Sequence, residues 1–199
     1  TGMTNRLLIL ADTLSGHLRG GLAQTNIVLG ALIGGPSGAG LADAAMICKV
    51  LVPEMTKHGY SRPFAAALTS ASALLGPILP PGIGLIIYGF VSDTSIGKLF
   101  MAGIFPGLFL GVCLMITWFF VVRKDGYTQA VAVPREEIVP IVRAAIPAML
   151  MPVIIIVGIR FGFFTPTEGG AVAAVYALLV AAFVYRELNF RKLMDALYN

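Results

Sequence analysis

Residues 34–55 read GGPSGAGLADAAMICKVLVPEM, residues 56–63 read TKHGYSRP, and residues 64–89 read FAAALTSASALLGPILPPGIGLIIYG. The first and third segments are apolar enough for a membrane, yet both are interrupted. Gly34, Gly35, Pro36, Gly38 and Gly40 are expected to prevent a regular helix at the start of the stretch. Gly76, Pro77, Pro80 and Pro81 are expected to break the later helix in mid-course, because proline removes a donor and clashes with the preceding turn. Broken backbone at membrane depth survives only where protein or a water-filled cavity satisfies it. Two interrupted apolar segments joined by a short polar turn point to the binding site of a transporter.

The rest of the chain agrees with a membrane setting. Of 199 residues, 57% are apolar and 12% charged, and the mean hydropathy is +0.87. Average soluble domains are about a quarter charged, so the composition is that of an integral membrane protein. Cys48 and Cys113 lie in apolar runs and offer neither a disulfide framework nor a metal-ligand spacing. The net charge of +4 does not indicate a nucleic-acid partner. The basic residues sit at the ends of apolar runs, where they act as topology signals. The opening TGMTNRLLIL carries no signal-peptide cleavage pattern.

Taken in order, residues 1–21 form an amphipathic segment too short to span, expected to lie at an interface or to join a helix preceding it. Residues 22–52 hold two short apolar arms on either side of the glycine turn. Each arm has roughly twelve residues, against roughly 20 for a spanning helix, and together they suit a re-entrant hairpin. Residues 63–92 are a broken helix long enough to cross. Residues 99–122 are an uninterrupted span with Trp118 as interfacial anchor, and 123–143 the main polar loop. Residues 144–159 and 166–185 are two further spans, the former proline-containing, and 190–199 begin an amphipathic segment. The fold class expected is therefore all-α, polytopic, with a re-entrant hairpin and a proline-broken helix. Lys57 and Arg62 mark one turn as cytoplasmic. Arg123, Lys124, Arg135 and Arg143 mark a second, and Arg186, Arg191 and Lys192 a third. Arg160, in an outer turn, departs from that rule.

Residues 35–40 admit three chemistries. A phosphate-binding loop needs Lys and then Ser or Thr after the glycines, and Leu41 and Ala42 stand there instead. An intramembrane serine protease would use Ser37 with a histidine base, but only His17 and His58 exist and neither is placed to reach it. A hairpin tip whose freed carbonyls and hydroxyl coordinate a cation is the reading preferred here, with close helix crossing through small residues as its structural competitor. Asp43 is either a functional ionisable group at membrane depth or a carboxylate favoured by the first turn of a helix. Thr69, Ser70 and Ser72 precede the break. Their hydroxyls either bond the carbonyls around Ala73 and Gly76 that the prolines free, or line a pore with them. Thr165, Pro166 and Glu168 spell a capping box with proline at the first helical position. Arg19 reads as a topology charge, and Asp93 and Lys98 as a solvated face.

Several motifs carry a family resemblance. They are Ser37-Gly38, Ala42-Asp43-Ala44-Ala45, Pro53-Glu54-Met55, Gly59-Tyr60 and Gly76-Pro77-Ile78-Leu79-Pro80-Pro81, with Leu18-Arg19-Gly20-Gly21-Leu22-Ala23 before them and Thr165-Pro166-Thr167-Glu168 after. In order and spacing the chain resembles the large membrane subunit of tripartite ATP-independent periplasmic (TRAP) transporters, the DctM-like permeases. The resemblance implies an elevator-type, inverted-repeat carrier of which this chain is a middle fragment. It implies import of small organic acids such as C4-dicarboxylates or sialic acid, no enzymatic activity, and sodium as coupling ion with no other cofactor. It further implies a small membrane subunit and a periplasmic substrate-binding protein as partners, in the bilayer of the bacterial inner membrane. Ser37, Gly38, Thr69, Ser72, Gly76 and Pro80 are the ion-binding candidates, and Asp43, Pro81 and Gly82 the substrate-binding ones. Ala39 and Gly82 depart from the family, which has serines there, so coordination leans on backbone. Another ion-coupled carboxylate carrier is the alternative within transport.

Overall fold

In a computed structural model the described residues are 2–16, 20–125 and 135–185. They are helical throughout, with no strand among them. The helices are α1 (Gly2–Ser15), α2 (Gly21–Ser37), α3 (Gly40–Lys57), α4 (Arg62–Ala73), α5 (Leu75–Ile78), α6 (Ile83–Val91), α7 (Ile96–Asp125), α8 (Arg135–Arg160) and α9 (Pro166–Leu179). A π-helical turn, Val180–Val184, continues α9. The chain is thus an all-α, polytopic membrane fold.

Two helices are long and apolar enough to cross a membrane, Ile96–Val122 and Ile138–Arg160. A third crossing is made if Arg62–Ile78 and Ile83–Val91, bent by 43° at the prolines, act as one span. The apolar stretch Glu168–Val184 is shorter than those two helices and lies within the span expected over 166–185. Two expectations are revised. The polar loop expected over 123–143 is shorter, because α7 runs on to Asp125 and α8 starts at Arg135. The span expected over 144–159 is the later part of α8, which carries Pro140, Pro147 and Pro152 inside it. Two tyrosine hydroxyls tie it to the last helix: that of Tyr176 donates to the Pro147 carbonyl at 2.7 Å, and that of Tyr185 to the Ala144 carbonyl at 3.0 Å.

The glycine-rich start of the hairpin is the largest departure. Gly34, Gly35 and Pro36 do not stop α2, which continues to Ser37. Each interior glycine costs about 1 kcal/mol against alanine, but a bare backbone is what allows a second helix to lie directly on it. Pro36 stands in the last turn, where its missing donor deprives only one carbonyl. The interruption is confined to Gly38 and Ala39.

α2 is the centre of the packing. Its Ala23 and Ile27 enter one buried cluster with Met55, Tyr60, Ala65, Leu68, Leu75 and Val122. Its Leu29 and Ile33 enter a second with Leu7, Ala11, Ile47, Leu51 and Ala148. α1 packs against α2 through this second cluster: Leu10 and Ala11 are buried at 2% and 0% exposure, and Arg6 stacks over the Tyr185 ring at 4.1 Å. α7 turns Phe105, Leu108, Phe109, Val112, Ile116 and Phe120 outward, the apolar stripe that a lipid-facing helix presents. His17, Arg19 and the amphipathic segment expected from residue 190 lie outside the described residues, as do Arg186, Arg191 and Lys192.

Candidate functional site

The hairpin turns within two residues. Gly38 caps α2 in the left-handed region, φ 58°, and its N–H donates back to the Gly34 carbonyl at 2.8 Å. α3 then starts at Gly40. Facing this tip, α5 is a single turn between the end of α4 and the start of α6. Pro77, Pro80 and Pro81 have no N–H, so the carbonyls of Ala73, Gly76 and Pro77 lose their helical partners. The Pro80–Pro81 peptide is cis.

The two irregular segments lie backbone to backbone. A Cβ on Gly34 would collide with the Cα of Gly76. One on Gly38 would come within 3.0 Å of the Gly82 Cα and 3.1 Å of the Pro81 carbonyl oxygen. One on Gly40 would stand 3.0 Å from Cγ of Pro77 and 3.1 Å from the freed carbonyl of Ala73. Gly82 fits the same way, 2.6 Å from the Pro77 carbonyl. The junction therefore brings together the end of α2, the start of α3 and the start of α6, with Gly38, Gly76, Pro80, Pro81, Gly82 and Asp43 around it. Ser37 closes α2, and its side chain lies outside what is described.

Asp43 is 3% exposed. It sits in the first turn of α3, and its Oδ2 lies 3.0 Å from where a Cβ of Gly76 would be. Its two readings are thus compatible: the helix start favours the charge, and the carboxylate reaches the break.

Thr69 and Ser72 are fully buried, but not as caps for the broken ladder. Thr69 Oγ1 donates to the Ala65 carbonyl at 2.8 Å and Ser72 Oγ to the Leu68 carbonyl at 2.9 Å, one turn back up α4. Ser70 does the same, to Ala66, on the exposed side. The reading in which these hydroxyls re-satisfy Ala73 and Gly76 is corrected: hydroxyl-to-backbone bonds inside a helix run to the residue four back, not forward. With the proton so placed, the oxygen lone pairs of Ser72 are left to face an electropositive neighbour.

α2 and α4–α5 run side by side in parallel register. Asn26 donates to Thr69 Oγ1 at 2.8 Å, Gly30 lies on Ser72, and Gly34 on Gly76. Thr69 and Gly76 are seven residues apart, about 10 Å of helix rise, so one ion does not contact both. The ion-binding candidates form two levels: Ser72 and Gly76 at the break, Thr69 with Asn26 further along. Among the described residues no three His, Cys, Asp or Glu side chains group as a metal site. A cation here would rest on carbonyls and hydroxyls.

The sequence reading passed over Gln24, Thr25 and Asn26, treating their arm as plainly apolar. All three are buried to 1% or less. Gln24 Nε2 donates to the Met115 carbonyl of α7 at 3.0 Å, and Thr25 Oγ1 to Asp12 Oδ1 of α1 at 3.2 Å. Asn26 meets α3 and α4 through Met55 and Thr69. Among the described residues the side-chain oxygens of Gln24 and Asn26 have no hydrogen-bond partner. Three amide and hydroxyl side chains in a row at membrane depth were the available signal. Among the described residues no histidine stands near the hairpin tip: His58 follows α3 at the opposite end, its Nδ1 3.8 Å from a Glu54 carboxylate oxygen.

Comparison with known proteins shows the family. The family described as tripartite ATP-independent periplasmic transporter, DctM component, matches residues 1–199. The sialic acid TRAP transporter large permease protein SiaM of Vibrio cholerae is 41% identical over 196 residues, 98% of this chain and 46% of that protein. The 2,3-diketo-L-gulonate TRAP transporter large permease protein YiaN of Escherichia coli is likewise 41% identical, over 98% of this chain and 46% of its own. The C4-dicarboxylate TRAP transporter large permease protein DctM of Pseudomonas aeruginosa is 38% identical over 94% of this chain and 44% of its own. This chain spans about half the length of those relatives.

Proposed function

Since the chain belongs to the DctM component family of tripartite ATP-independent periplasmic transporters, we propose that the whole protein is the large permease subunit of a sodium-driven importer of small organic acids. C4-dicarboxylates and sialic acid are the substrate class, in keeping with the names of its relatives. A periplasmic binding protein delivers the acid, a small membrane subunit is the scaffold partner, and the assembly spans the bacterial inner membrane several times. Hairpin and broken helix move together and carry the acid past that scaffold.

The observation that carries this reading is the seating of the hairpin tip on the proline break. Helix starts at Gly40 and Ile83 converge there, and helix N-termini favour a carboxylate. Freed carbonyls, which cost about 1–3 kcal/mol each when buried unpaired, favour a cation beside it. Sodium takes oxygen ligands alone, and the Gly76 carbonyl and Ser72 hydroxyl are its nearest candidates, with Gly38, Pro80 and Ser37 bordering the space. Asp43, Pro81 and Gly82 face the acid. Thr69 acts one level away.

The test uses the complete transporter in proteoliposomes. Ser72→Ala should raise the sodium concentration for half-maximal uptake several-fold with the protein still folded. Thr69→Ala should shift it less. Unchanged sodium dependence in both, and in Ser37→Ala, would remove the ion from this junction and leave the hydroxyls as helix-internal bonds.

A further inference from the structure

At the end of the molecule formed by the α6–α7 and α8–α9 turns lies a cleft of about 630 Å³. It is lined by the first two turns of α7 with Thr94 and Ser95, and by Ile159, Arg160, Phe164 and Pro166. This volume is in the range of small-molecule sites. The cleft is separate from the hairpin–break junction. Gly103 of α7 faces Ile78 and Leu85 at the break. Lys98 lies five residues earlier, and at about 100° per residue that is roughly 140° round the helix.

Two cations converge on the cleft, Lys98 and Arg160. Among the described residues neither makes an ion pair. The nearest carboxylates in sequence are otherwise disposed. Glu168 turns back to Thr165, accepting from its N–H at 2.7 Å and its hydroxyl at 2.9 Å. Asp93 stands exposed in the preceding turn and does not line the space. In the orientation set by the basic turns, both cations are on the outer side, where topology gives them no purpose. A guanidinium fork matches a carboxylate, an ammonium adds a point charge, and the Ser95 hydroxyl adds a donor, while that of Thr94 is turned to the Ser92 carbonyl at 3.3 Å. Ile96, Met101, Ile159 and Phe164 supply apolar wall, which suits a carbon skeleton better than an inorganic anion.

We propose that this cleft is a second, outer binding site for a small organic carboxylate, held by Lys98 and Arg160. It stands apart from the hairpin–break reading, so either survives the failure of the other.

The test is thiol labelling of full-length protein in membranes, with Cys48 and Cys113 replaced and Ser95→Cys introduced. Methanethiosulfonate reagents bearing a sulfonate or a trimethylammonium group are compared, each normalised to its reaction with free thiol. The sulfonate reagent should react about ten-fold faster or more, as expected of a cleft lined by one sign of charge. Millimolar succinate should protect saturably, while chloride at equal ionic strength should not. Lys98→Gln with Arg160→Gln should abolish both the preference and the protection. Lys98→Arg with Arg160→Lys should keep the preference. Phosphate protecting as well as succinate would overturn the carboxylate assignment in favour of a general anion or lipid headgroup site. Absence of saturable protection, protection surviving in the double Gln variant, or a cysteine that reacts with neither reagent would overturn the site itself.

Discussion

Single glycines decide where this molecule tolerates change. Gly34 and Gly170 are both helical, but a Cβ at 34 collides with the Gly76 backbone, while one at 170 meets nothing within 4 Å. Gly34→Ala should destabilise by about 1–3 kcal/mol, the usual cost of overpacking. Gly170→Ala should be neutral or stabilise by up to about 1 kcal/mol. Melting temperatures of the purified full-length protein compare the two, and equal shifts would contradict the close crossing. The sequence identified Gly34 and Gly38 as special for a related but different reason, as helix breakers. Gly38 meets that expectation, with positive φ; Gly34 does not, because its partner 42 residues on is invisible to local reading. The capping box of Thr165 and Glu168 was legible because all its atoms lie within one turn. Gln24, Thr25 and Asn26 were not, since successive residues on a helix point to three different neighbours.

At the scale of elements, the proline break is what the sequence showed best. A missing donor is a property of the residue itself, and α4, α5 and α6 separate where Pro77, Pro80 and Pro81 require it. What the sequence did not show is how the break is received. The Pro77 ring packs on Gly40 at the start of α3, so the kink and the hairpin tip hold each other. Pro77→Ala would restore a donor to the Ala73 carbonyl and remove that ring. The variant should remain folded yet lose ten-fold or more in uptake, because the seat of the tip is lost while the helix ladder is improved. Uptake within two-fold of the parent would mean that the bend is set by Pro80 and Pro81 alone. Hydrogen exchange at residues 73–78 should slow in the same variant.

For the whole molecule, charge gives the orientation and packing gives the boundaries of motion. Lys57 and Arg62 flank the turn between α3 and α4, and the positive-inside rule puts that turn in the cytoplasm. Single cysteines at Lys57 or His58, both exposed, should label from the inner face only, and one at Thr94 from the outer face only. The reverse pattern would invert the topology. The three side chains that key α2 set a further constraint. Gln24 is tied to α7, Thr25 to α1 and Asn26 to α4, about 100° apart around one turn. A helix with a smooth apolar surface rolls on its neighbours at little cost. This one is pegged on three sides, and any roll breaks three hydrogen bonds together, one buried and two partly buried, each hard to replace in hydrocarbon. In the proposed transport cycle α2 should therefore carry α1, α4 and α7 with it, which predicts a plane of slip beyond them. A disulfide between Ala23→Cys and Val122→Cys, joining α2 to α7 within one buried cluster, should leave uptake intact. If oxidation stops transport and reductant restores it, the slip plane instead passes between those two helices, and the Gln24 bond is a latch that opens in every cycle.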